Sequence, residues 1–333
     1  MHSVESDSCI LIITRENDTT ADHVLRRMAD RGIPYFRLNA EKFGDVGIAL
    51  RFPNIHDSVI SFGGMQITIS KIRGVWLRRL IKPTACQIPD LEARTFAEGE
   101  LDFSLRWLID LLGNYCPVLD PEANILKGRN KFDQLVVAEN VDLRIPITLI
   151  TNDSTAARDF VDRHKKVAIK SVAGYGHQVE GGFYTVYTNI VTNDILGRFD
   201  LIRLAPVCLQ EYIEKDFELR ITVVGSRVFA CRIDSQSTPQ TRVDWRHYDD
   251  LTPHSIYATD KSLDDRLTAI MRHYGIRFAS FDLIVTLDGK IVFLEMNPST
   301  QFLWIEKLTG MPITDAIILR LWFAVNFMWP IAM

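Results

Sequence analysis

At 333 residues, 47% hydrophobic and 24% charged, the chain is too long for one small core and implies two or three domains. Its net charge of −4 gives no whole-chain drive toward nucleic acid or an anionic membrane. The five cysteines are scattered, with no pair at metal-ligand spacing, so reduced thiols in a cytoplasmic protein are expected rather than a disulfide or zinc framework.

Met1 to Ser8 is polar and lacks the basic and apolar regions of a signal peptide. Cys9–Ile13 is a short apolar run of buried-strand type. Thr19 or Thr20 can cap a helix to about Arg31, Gly32 stops it, and Tyr35–Leu38 resumes extended chain. This βαβ-like order predicts a parallel sheet. Short strands are expected at Ile48–Phe52, Met65–Ile69 and Ile72–Leu77, then a long helix from about Leu91 to Leu112. A turn at Asp120–Pro121 closes a first domain of residues 1–120.

A helix over Arg129–Val141, a strand at Pro146–Ile150, a helix capped by Asn152 or Asp153 and a strand at Val167–Lys170 make a second part, residues 121–205. The third, 206–333, holds strands at Val207–Ile213, Leu219–Val224 and Val228–Ile233, a helix at Leu263–Tyr274, and strands at Phe278–Thr286 and Ile291–Met296. Leu321–Met333 is almost wholly apolar, too short to span a bilayer and interrupted by Asn326 and Pro330. A helix packed on the core is expected there, with a homodimer or peptide-binding surface as the alternative.

The sharpest chemical cluster lies on the last two strands, FASFDLIVTLDGKIVFLEMNPSTQF, joined by a turn at Asp288–Gly289. Asp282 is on the first strand. Glu295 and Asn297, two apart at the end of the second, share a face. Two carboxylates and an amide oxygen suit Mg²⁺ shared with phosphates, and carboxylates in such apolar strands are costly unless paired or metal-bound. A solvated strand end with a turn at Asn297–Pro298 is the competing reading. Lys170 ends an apolar strand ahead of a loop containing Gly174 and Gly176, where a lysine and backbone N–H groups can meet phosphate. Lys131, in KGRNKF at a helix start, is a second phosphate candidate; surface lysines would account for either one alone. Gln210, Glu211, Tyr212 and Ile213 form a strand end that could frame a purine, followed by Glu218 for ribose hydroxyls and Arg220 on the same face. An amphipathic edge strand with a surface ion pair is the plainer account. No GxxxxGK[ST], GxGxxG, HExxH or GxSxG occurs.

The order of these pieces, from about Asn124 to Thr314, resembles the ATP-grasp superfamily. That resemblance implies an α/β ATP-grasp fold: an N-terminal pre-ATP-grasp βαβ domain, a central lid subdomain and a C-terminal domain built on an antiparallel sheet. It implies ATP and Mg²⁺, with Lys131 and Lys170 on phosphates, Gly174 and Gly176 in a covering loop, Gln210, Glu211, Tyr212 and Ile213 at adenine, Glu218 at ribose, and Asp282, Glu295 and Asn297 at the metal. Ser280 stands where many amino-acid ligases carry arginine, so Arg220 or Arg232 is expected to meet the acyl phosphate. Val75-Trp76-Leu77-Arg78-Arg79, Ile233-Asp234-Ser235-Gln236 with Val243-Asp244-Trp245-Arg246, and Asn297-Pro298-Ser299-Thr300-Gln301 with Trp304 and Glu306 resemble segments of graspetide (microviridin-type) peptide ligases, although Thr300 replaces their usual glycine. The resemblance implies a ribosomal precursor peptide as partner, with Asp or Glu side chains joined to Ser, Thr or Lys. Trp76, Arg78, Arg79, Asp244 and Arg246 are the expected peptide contacts, and Asp234 or Asp244 the candidate general base. Two alternatives are a ligase adding free amino acids to a small acid or protein tail, and a nucleotide-binding regulatory module without catalysis.

Overall fold

The computed structural model describes residues 8–172, 177–179, 182–184, 186–247 and 252–323. Strand β1 (Cys9–Thr14) leads through α1 (Thr19–Ala29) to β2 (Tyr35–Asn39). Asp18, not Thr19 or Thr20, caps α1, because its carboxylate accepts from the N–H groups of Thr20 and Ala21. An antiparallel trio follows, β3 (Gly47–Ala49), β4 (Val59–Phe62) and β5 (Met65–Thr68), then β6 (Ile72–Leu77) and the long α2 (Leu91–Tyr115). The expected strand over Ile48–Phe52 is shorter and pairs with a β4 that the sequence pattern did not suggest. Strands β2, β1 and β6 form the expected parallel sheet.

Next come α3 (Glu122–Gly128), α4 (Lys131–Asn140), β7 (Thr148–Thr151), α5 (Ser154–Arg163) and β8 (Val167–Ser171). The hairpin β9 (His177–Val179) and β10 (Gly182–Tyr184), β11 (Asn189–Ile190), α6 (Asn193–Leu196) and β12 (Val207–Glu211) complete the central region. Its sheet runs β11-β8-β12-β7. Two boundaries therefore differ from the sequence expectation. β12 lies past residue 205 yet belongs to the central sheet, whereas Val137, Ala138 and Leu143, in and just after α4, join the core of the C-terminal sheet.

The C-terminal region holds β13 (Lys215–Val224), β14 (Arg227–Ile233), β15 (His254–Tyr257), α7 (Lys261–Tyr274), β16 (Phe278–Thr286), β17 (Ile291–Pro298), α8 (Leu303–Thr309) and α9 (Ile313–Trp322). Its sheet is antiparallel in the order β15-β14-β13-β16-β17. One face packs on α7 through Leu219, Ile221, Phe281, Leu283 and Met271. The other meets the N-terminal sheet through a shared core that joins Ile10, Ile12 and Trp76 to Cys231, Phe278, Ile305 and Ile317. Helix α9 packs on this core through Ile313, Ile317 and Leu321; of the apolar segment Leu321–Met333, residues 324–333 lie outside the described part. Among the described residues no helix is long and apolar enough to cross a membrane.

The seam between α9 and β6 depends on Gly74. A Cβ there would stand 2.6 Å from the carbonyl oxygen of Leu321. Gly74→Val should therefore lower stability by about 1–3 kcal/mol or more, because neither backbone can yield without opening the core. Urea unfolding monitored by tryptophan fluorescence would measure it, and an unchanged midpoint would mean that α9 does not pack tightly there.

Candidate active site

Three adjacent strands set one row of charges. Register places Arg220 of β13 opposite Asp282 of β16, and Asp282 opposite Glu295 of β17. Opposed residues of an antiparallel pair share a face, so all three project together. Arg220 Nη1 donates to both Asp282 oxygens at 2.7 Å. Asn297 lies two residues beyond Glu295 on the same face, and its amide donates to Asp282 at 2.7 Å and to Glu295 at 2.9 Å.

Lys131, the first residue of α4 after the Asn130 cap, reaches this row from the side. Its Nζ lies 3.2 Å from Glu295 Oε2 and donates to Asn297 Oδ1 at 3.2 Å. Burial opposes ionisation of Glu295, but Lys131, Lys170, the Asn297 amide and Arg246 outweigh it and hold the carboxyl well below its usual range. For Asp282 burial dominates and raises the carboxyl, against the pull of Arg220, with Glu295 adding repulsion. Lys170 sits on β8 opposite Cys208 of β12, and its charge reaches Glu295. The structure thus brings Lys131, Lys170, Arg220, Asp282, Glu295 and Asn297 to one place. Gly174 and Gly176 lie outside the described residues.

The segment after β12 links the central sheet to β13. Gln210 Nε2 donates to Thr148 Oγ1 at 2.9 Å, and Glu211 Oε1 accepts from Ile147 N at 3.1 Å. Tyr212 donates its N–H to Lys166 O, takes the Lys166 ammonium over its ring at 3.8 Å, and precedes Ile213 in the connection. Glu218 is buried and pairs with Lys215 at 2.7 Å; burial raises its carboxyl against the pull of that lysine.

Several expected roles change. Arg232 lies opposite Leu219, not Arg220, and its guanidinium packs 3.9 Å from the Phe217 ring centroid while pairing with Asp234 at 2.6 Å. That is the α7 face of the sheet, turned away from the carboxylates, so neither Arg232 nor Asp234 touches the charged row. The two-residue turn Gly225-Ser226, with Gly225 at φ 62°, fixes this register. Trp76 and Arg78 also have no surface to offer a peptide. Trp76 is core, and Arg78, 1% exposed, lies 2.8 Å from Asp18 and donates to Thr300 O at 2.9 Å. Arg79 is half-buried with φ 46° and stands near Arg15 and Arg129.

Asp244 and Arg246 form a tight pair, with Arg246 Nε donating to Asp244 Oδ1 at 2.8 Å and Thr188 N donating to Asp244 Oδ2 at 3.0 Å. The Asp244 bond raises the Arg246 pKa, and Glu295 and Asp282 add to the rise, so Arg246 lies within electrostatic reach of those two carboxylates. Three further residues serve the site: Gln134 and Lys215, which no motif flags, and Thr300, which the sequence marks only as a replacement for glycine. Gln134 donates to Met296 O at 2.9 Å and accepts from Met296 N at 2.8 Å, fixing the stretch between Glu295 and Asn297. Its position three residues after Lys131, on the inner side of a helix, is the only signal the sequence holds. Lys215 neutralises Glu218, and Thr300 holds Arg220.

The donor set fits Mg²⁺: two carboxylates and an amide of hard oxygen chemistry, in register and backed by cations that would also attract phosphates. Among the described residues no group of three or more His, Cys, Asp or Glu comes together, so the set rests on Asp282, Glu295 and Asn297. The Asn297 amide now turns Nδ2 toward the carboxylates; rotation about its last torsion would present Oδ1 instead.

Comparison with known proteins agrees with this geometry. Residues 9–125 match the family model described as the MvdD pre-ATP grasp domain. Residues 133–308, more than half of the chain, match the prokaryotic glutathione synthetase ATP-grasp domain. A Chryseobacterium gregarium RiPP-associated ATP-grasp ligase, solved with ADP and a leader and core peptide, is 26% identical, with a TM-score of 0.85 over 94% of this chain and 96% of that one. The macrocyclase MdnC of Microcystis aeruginosa, bound with precursor peptide MdnA, is 27% identical, with a TM-score of 0.81 over 95% and 99%. MdnB from the same organism is 28% identical, with a TM-score of 0.76 over 95% and 99%. No curated protein sequence matches.

Proposed function

We propose that this chain, which belongs to the ATP-grasp ligase family, activates Asp or Glu side chains of a ribosomally made precursor peptide and joins them to Ser, Thr or Lys side chains of the same peptide. The ADP-forming ligase activity follows from the family; the peptide and the ester or amide linkage are our reading. One observation carries it: a pre-ATP-grasp domain of MvdD type and the charged row sit in one chain, whose similarity to ligases solved with precursor peptides spans more than nine-tenths of its length.

A carboxylate is a poor acyl donor because oxide would have to leave. Its oxygen attacks the γ-phosphorus of ATP, the bond to the bridging oxygen breaks, and ADP departs. The resulting acyl phosphate is attacked by a hydroxyl or amine, and inorganic phosphate leaves. The protein's contribution is positioning and charge neutralisation. Mg²⁺, held by Asp282, Glu295 and Asn297, would supply charge on the transferring phosphoryl oxygens. Lys131, 3.2 Å from Glu295, and Lys170, whose charge acts on the same carboxylate, are our candidates to meet phosphates, and Arg246, within electrostatic reach of Glu295 and Asp282, is the arginine we assign to the acyl phosphate. Arg220 is occupied in holding Asp282. Glu218 and the Gln210–Ile213 connection are the nucleoside side of the site.

The match to the glutathione synthetase domain favours one other substrate class, free amino acids. Mass spectrometry separates the two. Incubated with ATP and Mg²⁺, a cognate precursor should lose about 18 Da per ring, because each condensation removes one water equivalent. A product heavier by whole amino-acid residues would leave the family intact and overturn the peptide-cyclising reading.

A further inference from the structure

The geometry points to Thr300 as a positioning residue that ties the N-terminal domain to the metal-binding carboxylate through a buried run of ion pairs and hydrogen bonds. Asp18 caps α1 and also accepts from Thr14 Oγ1 at 2.9 Å. Arg78 Nε lies 2.8 Å from Asp18 Oδ2, and Arg78 Nη1 donates to Thr300 O at 2.9 Å. Thr300 Oγ1 then accepts from Arg220 Nη2 at 2.5 Å, while Arg220 Nη1 bonds both oxygens of Asp282 at 2.7 Å. Asp18, Arg78, Thr300 and Arg220 are all buried. Thr300 is the joint of this chain: its carbonyl serves one arginine and its hydroxyl the other.

The chemistry gives that hydroxyl a task beyond filling space. A guanidinium has five donors in a rigid plane, so the contact at Nη2 sets the direction from which Nη1 approaches a carboxylate. Within the described residues Arg220 Nε finds no partner, which leaves Thr300 and Asp282 to fix the plane. Without the hydroxyl, Arg220 would lose one of the two contacts that fix its plane, and Asp282, still held by the Asn297 amide, would be oriented less firmly from the Arg220 side. The preceding residue is held as well: Ser299 has φ 54°, a backbone conformation that turns the chain sharply after the strand and directs Thr300 inward. Thr300 touches neither ATP nor peptide on this account. It acts through Arg220, and the inference rests on reading Asp282 as a Mg²⁺ ligand.

The test is calorimetric titration of ADP into the full chain, with Mg²⁺ and again with a chelator in its place, alongside thermal unfolding. In Thr300→Val, which keeps the shape and removes the hydroxyl, the gain in ADP affinity that Mg²⁺ confers should fall by about tenfold, as expected for a lost charge-assisted bond. Affinity in chelator should stay as in the parent, and Thr300→Ser should restore the gain. Should Thr300→Val not fold, Thr300→Ala carries the same expectation. An unchanged Mg²⁺ gain in the folded variant, or a serine variant as impaired as the valine one, overturns the role of the hydroxyl. Asp282→Asn is the control: if it too leaves the gain unchanged, the metal assignment itself has failed, whereas a loss there alone removes only Thr300 from the argument.

Discussion

Glu295→Gln should reduce ATP-dependent ligation by roughly a thousandfold or more, the scale of losing a group aimed at developing charge in a water-poor site. Glu295 stands opposite Asp282 in register and receives Lys131, the Asn297 amide and the fields of Lys170 and Arg246. Those cations compensate a buried negative charge. Glutamine keeps the shape but removes the charge, so Lys131 and Lys170 lose the carboxylate that positions them, and a Mg²⁺ ion loses an anionic oxygen. Folding should survive, because Gln134 and the strand pairing hold the backbone on either side. Release of ADP coupled to peptide modification, at saturating ATP and Mg²⁺, is the measurement. Turnover near that of the parent, in a variant with unchanged unfolding temperature, would remove Glu295 from the site.

Much of this row is legible in the sequence. Glu295 and Asn297 at period two, ending an apolar strand beside one that carries Asp282, could be read from hard-oxygen chemistry and strand geometry alone. Lys131 at a helix start needed only the cap. What failed was relative parity between strands. Arg220 and Arg232 look interchangeable along the sequence, yet the Gly225-Ser226 turn sets Val224 opposite Arg227 and so puts Arg232 on the far face. That turn type is a sequence signal, and counting residues back from it would have separated the two arginines. The buried chain through Thr300 was beyond reach for another reason. Arg78 and Thr300 are 222 residues apart, and no local pattern reports a contact made only when the N-terminal and C-terminal sheets share one core. For the same reason Val75-Trp76-Leu77-Arg78-Arg79 read as one recognition surface, although alternation along a strand end sends its side chains into different environments.

That split gives the second large effect. Arg78→Ala should destabilise the fold by about 3–5 kcal/mol, the cost of removing one partner from a buried ion pair. Burial opposes charge on both members. It lowers Arg78 to about 10, against the raising influence of Asp18. Burial likewise acts to raise Asp18, but Arg78, the helix-start N–H of Ala21 and Thr14 hold it below its usual range. Deleting Arg78 leaves that carboxylate buried without its cation, breaks the contact to Thr300 O and opens space beside Trp76, whose ring centroid is 5.5 Å from the guanidinium. Arg79 differs because its side chain is half-buried near Arg15 and Arg129, with Asp18 as an opposing charge. Arg79→Ala should therefore change stability by less than about 1 kcal/mol and, if the basic trio meets acidic side chains of the substrate, weaken peptide binding instead. Urea unfolding of both variants, with anisotropy of a labelled precursor on the folded ones, separates the roles. Equal unfolding midpoints for Arg78→Ala and the parent would mean that the Asp18 pair contributes nothing to the fold. In the double variant Asp18→Ala/Arg78→Ala the loss should be smaller than the sum of the single losses, since removing both charges removes the uncompensated one.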